Sequence, residues 1–222
     1  MRAATKEAAP ARPASAEEVL FRSPEQFIVR VDAGRVRDVE ALGRMCGRYG
    51  ALQRSRLKAS SSDGKHFLHY YTRAASESAL RGLDGASFEG RPLEVSRGMG
   101  TGAVRMLGRD DCVDLANTLL GFRGWSHRIV SLDRRRDSDE VVFDATVAVS
   151  FALDPRLEAL GRGEGRPNPG STKADAFAAS KKRAINHAIE ASFRDVRLRV
   201  KRGKKATAVR LCAAAEPADP PR

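Results

Sequence analysis

"LANTLLGFRGWSHRI", residues 115–129, holds the chain's only tryptophan, Trp125, set between the glycine pair Gly121 and Gly124 and the basic cluster His127 and Arg128. Cys112–Leu120 reads as a short helix that stops at Gly121. The two glycines permit a tight turn feeding a following strand. In that setting Phe122 and Trp125 are expected as core anchors. Arg123, His127 and Arg128 are then held beside the turn, where they can meet phosphate.

Downstream, Glu140–Leu153 alternates, with Val141, Phe143, Ala145, Val147, Val149, Phe151 and Leu153 on one face. That period of two predicts a long strand with one buried side. DRRRD, 133–137, reads as a solvated hairpin tip, and GRGEGRPNPGST, 161–172, as a loop. Lys173–Val196 is the longest helix, with Phe177, Ala178, Ala184, Ile185, Ala188, Ile189, Ser192, Phe193 and Val196 in one stripe. In VRLRVKRGKK, 196–205, Val196, Leu198 and Val200 alternate with Arg197, Arg199 and Lys201. A strand there buries one face and presents a row of cations on the other.

Upstream the pattern is βαββαβ, a split βαβ unit. FIVRV, 27–31, is the first strand. Asp38 caps a helix carrying Val39, Leu42, Met45, Cys46 and Tyr49. Ala51–Lys58 and Lys65–Thr72 are the next strands. Ala74–Leu83 is the second helix, and LEV, 93–95, the last strand. SRGMGTG, 96–102, reads as a linker, and AVRML, 103–107, as a short strand.

The stretches LDGASFEGRPLEV, 83–95, and RYGALQRSRL, 48–57, resemble parts of an RNA-recognition motif, or RRM. Residues 104–196 resemble the Rad-fifty-two family of single-strand annealing proteins, through Leu115, Ala116, Asn117, Gly121, Phe122, Gly124, Trp125 and Ile129. An RRM followed by such a motif resembles the Rad-fifty-two-motif-containing protein family. The resemblance implies binding of DNA and RNA, single strands included, within the response to DNA damage. The annealing proteins form rings, so the resemblance leaves a homo-oligomer open as a partner, and the sequence does not decide it. Three groove positions that are basic in that family correspond here to Asp111, Glu190 and Ala191. Binding is therefore a safer expectation than annealing.

The fold class expected is α+β: an N-terminal RRM (ferredoxin-like βαββαβ), then a C-terminal antiparallel-sheet-and-helix domain like the single-strand annealing fold. The expected division is a disordered tail over 1–25, the RRM-like domain over 26–97, a linker over 98–103, the nucleic-acid-binding domain over 104–211 and a disordered tail over 212–222.

The net charge of +12 and the isoelectric point near 10.2 favour polyanionic partners. No apolar run approaches the length of a membrane span, and the first residues lack a secretory apolar core. Cys46, Cys112 and Cys212 form no CxxC, which points to a reducing compartment and against a zinc site. No cofactor is expected. The sequence contains no GxxxxGK[ST], HExxH or GxSxG, so an enzyme is not expected.

Candidate nucleic-acid-binding residues fall in three groups. Lys65, Phe67 and His69 share the outer face of the RRM's third strand, where bases stack; Ile28 stands where the first strand usually has an aromatic. Arg123 and Arg128 flank the tryptophan turn, and Lys182 lies on the long helix. Arg197, Arg199, Lys201, Arg202, Lys204 and Lys205 form the ribbon; between 181 and 205 ten Lys/Arg stand against Glu190 and Asp195 alone. The favoured function is a single-stranded DNA and RNA binding accessory in DNA damage response, double-strand-break repair and recombination. It would be nuclear, with the cytoplasm also open. The alternatives are an RNA-binding processing factor and a protein-interaction adaptor working through the RRM sheet.

Overall fold

The computed structural model describes residues 16–22, 27–53, 64–99, 106–137, 140–168, 172–201 and 205–211. The first element is a strand, β1 (Glu17–Leu20). It is followed by β2 (Ile28–Asp32), α1 (Val39–Gly47), β3 (Lys65–His69), α2 (Arg73–Leu83), the short pair β4 (Ser87–Phe88) and β5 (Arg91–Pro92), and β6 (Glu94–Arg97). Then come α3 (Arg109–Leu120), β7 (Trp125–Asp137), β8 (Glu140–Phe151), β9 (Asp154–Gly165), α4 (Lys173–Phe193), β10 (Val196–Val200) and β11 (Ala206–Leu211). The fold is mixed α+β, with antiparallel sheets and four helices among the described residues.

In the first unit β2 is central, between β3 and β6. Its alternation buries Val29 and Val31 against Leu42, Leu68, Ala79, Leu83 and Leu93. Both helices start where a side chain can satisfy a free amide. Asp38 accepts from the Ala41 amide at 2.8 Å and Thr72 from the Ala75 amide at 3.1 Å. The buried Tyr70 hydroxyl donates to the Cys46 carbonyl at 2.9 Å, so its polar end is satisfied. Of the strand expected over 51–58, the described residues hold one bridge, Leu52 to Tyr70; 54–63 lie outside them. The expected strand at 103–107 likewise reduces to Met106, bridged to Arg22. Ser96 and Arg97, expected in the linker, belong to β6.

The second unit is α3, the meander β7-β8-β9 and α4, beside the sheet β1-β10-β11. Val147, Val149 and Phe151 of β8 meet Leu115 and Ala116 of α3 and Ala184, Ala188 and Phe193 of α4 in one core.

Three expectations need correction. The tail over 1–25 contains β1, which pairs antiparallel with β10, Glu17 opposite Val200 through Leu20 opposite Arg197. Val19 and Phe21 are buried, and Phe21 stacks on Phe193 with centroids 4.4 Å apart. Burying each such side chain contributes about 1.5–3 kcal/mol, which two glutamates on the strand do not offset because they stay near the surface.

DRRRD is the end of β7 rather than a hairpin tip, since that strand runs to Asp137. GRGEG, 161–165, is the end of β9 rather than a loop. Its glycines occupy every second position and face α4. A β-carbon on Gly161, Gly163 or Gly165 would collide with the carbonyl oxygen of Ala188, Ala184 or Ser180 respectively. Glycine is required there by the close approach of a helix backbone, not by a turn.

The two units share a seam. Gln53 Nε2 donates to Asp111 Oδ2 at 2.9 Å. Ala51 and Tyr71, from the first unit, belong to the second core. The Glu17 carboxylate accepts from the Arg73 and Ala74 amides at 2.9 and 3.0 Å, capping α2 from β1.

Candidate nucleic-acid interface

The basic ribbon is realised as the outer face of the sheet β1-β10-β11. Along β10, Val196, Leu198 and Val200 are buried while Arg197 and Arg199 are exposed. Directly opposed residues of an antiparallel pair share a face, so Arg210, opposite Arg197, joins the same surface. Lys201 is exposed at the end of the strand. The N-terminal strand adds one acid: Glu18 Oε2 takes Arg197 Nη1 at 3.2 Å. Both side chains of that pair are about half exposed, so it is worth little. Arg199, Lys201 and Arg210 have no ion pair among the described residues. Arg202 and Lys204 lie outside those residues; Lys205 is exposed. Lys182 is exposed on α4, a separate element from this sheet.

On the first unit's sheet the structure keeps Phe67 and loses His69. Phe67 is 44% exposed. It lies opposite Arg30, an exposed cation the sequence reading did not single out. Lys65 is half-buried at the strand's start. His69, expected beside them on the open face, is only 6% exposed, as is its partner Ile28. That end of the sheet lies at the seam: the Gln53 amide donates to the His69 carbonyl, and the Gln53 side chain reaches Asp111 on α3. The stacking platform is therefore one aromatic wide.

The tryptophan turn splits its two aromatics. Gly121 caps α3 with φ +83, and the Gly124 amide donates back to its carbonyl at 2.9 Å. Trp125 is an anchor as expected. Its Nε1 donates to Asn117 Oδ1 at 2.9 Å, and its ring meets Phe193 edge-on at 5.5 Å and stacks on His127 at 5.8 Å. Phe122, expected as the second anchor, is 85% exposed. A turn this tight carries its second residue outward. Leu153, expected on the buried face of β8, is 46% exposed in the neighbouring turn, where the Ala152 amide bonds the Gly124 carbonyl. Arg123 is exposed beside Phe122. Arg128 is exposed too, but its Nη2 contacts both carboxylate oxygens of Glu158 at 3.1 Å, which partly neutralises it.

Sequence reasoning missed a fourth basic region because it took β9 for a loop. An open cleft of about 520 Å³ between β9 and α4 is lined by Arg162, Arg166, Arg183, His187 and Arg194, with Glu164 and Glu190 the acids. Both acids are engaged. Glu164 bonds Arg166 at 2.6 Å and also pairs with Arg135. The Arg166 hydrogen bond, opposed by burial and reinforced by the charges of Arg166 and Arg135, holds its carboxyl below the usual range. Glu190 accepts the Arg109 amide at 2.9 Å at the start of α3. Arg183 is braced by Asn168 Oδ1 at 2.6 Å. Of the three positions that depart from the annealing pattern, Asp111 and Glu190 thus hold elements together, while Ala191 lines the cleft. Charged residues at every second position, Arg162, Glu164 and Arg166, were the available signal.

Among the described residues no group of His, Cys, Asp and Glu could hold a metal ion, and no helix is long and apolar enough to cross a membrane.

Residues 107–151, which carry α3, β7 and β8, match the family model described as the RDM1 DSRM domain. That is a double-stranded RNA-binding type of domain. The match corrects the family reading: the segment that resembled a Rad-fifty-two motif behind an RRM falls to this model instead. The correction bears on the very stretch, 115–129, that suggested the other family. No curated protein matches the chain. For the matched segment, the finding points to nucleic-acid binding in general.

Proposed function

We propose that this chain is a nucleic-acid-binding accessory protein that holds single-stranded DNA and RNA by their phosphates. It works as a binder rather than a catalyst, in the nucleus, within the DNA damage response. The observation that carries the binding reading is the outer face of β1-β10-β11, where Arg197, Arg199, Lys201 and Arg210 face one carboxylate, Glu18. A surface that neutralises phosphates releases condensed counterions, so affinity falls steeply with salt. Phe67 and Phe122 supply exposed aromatic faces on which unpaired bases can stack.

A second reading is favoured by the match over 107–151: an RNA-binding factor whose preferred ligand is duplex RNA, recognised by shape and by phosphate and 2′-hydroxyl contacts.

One experiment separates them. Purified full-length protein is titrated, over a salt series, with single-stranded DNA, single-stranded RNA, duplex DNA and duplex RNA of matched length. Tight, salt-steep binding of both single strands supports the first reading. A marked preference for duplex RNA replaces it with the second. Weak, salt-insensitive binding of all four overturns both. The cellular role is tested separately, by the sensitivity of cells lacking the protein to DNA-breaking agents.

A further inference from the structure

At the seam between the two units lies an open pocket of about 510 Å³ that none of the surfaces above includes. One wall is the end of α1 and its following turn, with Arg48; α2 and its capping residue contribute Ser78 and Thr72; the second unit contributes Thr118 and Lys205. We propose that this pocket is a phosphate site, which grips a nucleic-acid strand where it passes from one unit to the other. The inference rests on the nucleic-acid reading for its ligand but, apart from Lys205 at the ribbon's end, on different residues for its existence.

The charge on the walls is one-sided. Among the described residues, two cations and no carboxylate line the pocket. Arg48 is exposed and has no ion pair among those residues. Lys205 Nζ lies beside the end of α3: a β-carbon built on Gly121 would stand 3.3 Å from it. The carbonyl end of a helix favours an ammonium there, and it leaves the charge directed by position rather than cancelled by a counter-ion. The nearby acids are not on the lining. Glu17 is occupied with the Arg73 and Ala74 amides, and Asp114 lies one helical turn before Thr118. Hydroxyls of Thr118 and Ser78 add donors suited to phosphate oxygens.

The walls are braced. Tyr49 OH donates to the Gly82 carbonyl at 2.7 Å, clamping the turn after α1 to the end of α2. Gly50, with φ +150, sits so close to Ala75 that a β-carbon would stand 2.5 Å from that alanine's own. Gln53 and Asp111 join the first unit to α3. A pocket whose two cations come from different units reads a phosphate only when both units are docked. The volume suits one nucleotide, so the same chemistry serves a strand or a free nucleotide.

The test compares wild-type full-length protein with Arg48→Gln/Lys205→Gln and, as a gentler change, Lys205→Gln alone. The probes are a single-stranded RNA oligonucleotide across a salt series, and adenosine monophosphate alone. If a strand occupies the pocket, the double variant binds the oligonucleotide about tenfold more weakly, and its log–log salt slope flattens by about 1.4, the share of two phosphates on a single strand. Lys205→Gln gives about half of that. If the occupant is a free nucleotide, the monophosphate binds wild type and not the double variant, while oligonucleotide binding is unchanged. Unchanged binding of both probes overturns the site while leaving the proposed function standing. No oligonucleotide binding by wild type overturns the proposed function, and the monophosphate arm alone then decides the pocket.

Discussion

Trp125 donates its indole N–H to the Asn117 side-chain oxygen at 2.9 Å, tying the head of β7 to the last turns of α3. Replacing Asn117 with leucine leaves that partly buried donor without its acceptor, which costs about 1–3 kcal/mol. Urea unfolding measures it, followed by emission of the chain's only indole. The midpoint is expected to fall and the native emission to change; an unaltered midpoint would show that the bond carries nothing.

Phe122, one turn away, is expected to behave in the opposite manner. At 85% exposed, its replacement by alanine changes stability by no more than about 0.5 kcal/mol. If a base stacks on it, single-strand affinity drops by about 1–3 kcal/mol. Melting temperature and oligonucleotide titration on one sample separate the two effects. A large loss of stability would return Phe122 to the role of an anchor.

Arg197→Ala, Arg199→Ala and Lys201→Ala together remove three cations from the β1-β10-β11 face. The log–log salt slope for single-stranded DNA is expected to flatten by about 2, with affinity lower at every salt concentration. Identical slopes for variant and wild type would falsify phosphate binding by this face.

These predictions rest on features of unequal legibility in the sequence. The β10 row was readable because strict alternation leaves one face for cations, and β8 because six of its apolar positions, Val141 to Phe151, repeat at a period of two. Strand β9 was not, since glycine signals a turn far more often than a backbone-to-backbone contact; only the facing Ser180, Ala184 and Ala188, spaced by four, could have revealed it. Strand β1 was hidden for another reason. Its partner β10 lies almost the whole chain away, and nothing local in EEVL announces that pairing. The site suffered similarly: His69 had the right strand parity, yet the seam covers it.

Gly163→Ala is expected to destabilise the fold by about 3 kcal/mol or to prevent folding, because the added methyl has helix backbone, not a movable side chain, in its way. Calorimetry checks this, with Gly90→Ala as a control at a position where nothing lies within 4 Å but φ is +78. A loss at Gly163 no greater than the control's would mean that α4 shifts freely.

Burial pushes the Cys46 thiol up to about 12, and burial followed by the charges of Glu190 and Asp111 does the same to Cys112. Native protein at pH 8 should label at neither thiol, and both should label after denaturation. Since the folded values lie above the ordinary 9, the unfolded chain loses these protons first as pH rises. Stability is expected to be undiminished by them below pH 9 and to decline between there and about 12. Rapid native labelling of Cys46 or Cys112 would show that its core opens.

The missing β-carbons along β9 also act as a gauge. With hydrogen alone at Gly161, Gly163 and Gly165, α4 rests on the strand at the shortest distance two backbones allow, and Arg162 and Arg183 border a single gap. The width of that gap is therefore set by the thinnest residues in the chain, not by the charged ones that line it. Any change that thickens the strand would lift the helix along its length and move both arginines apart, with no charge having been altered.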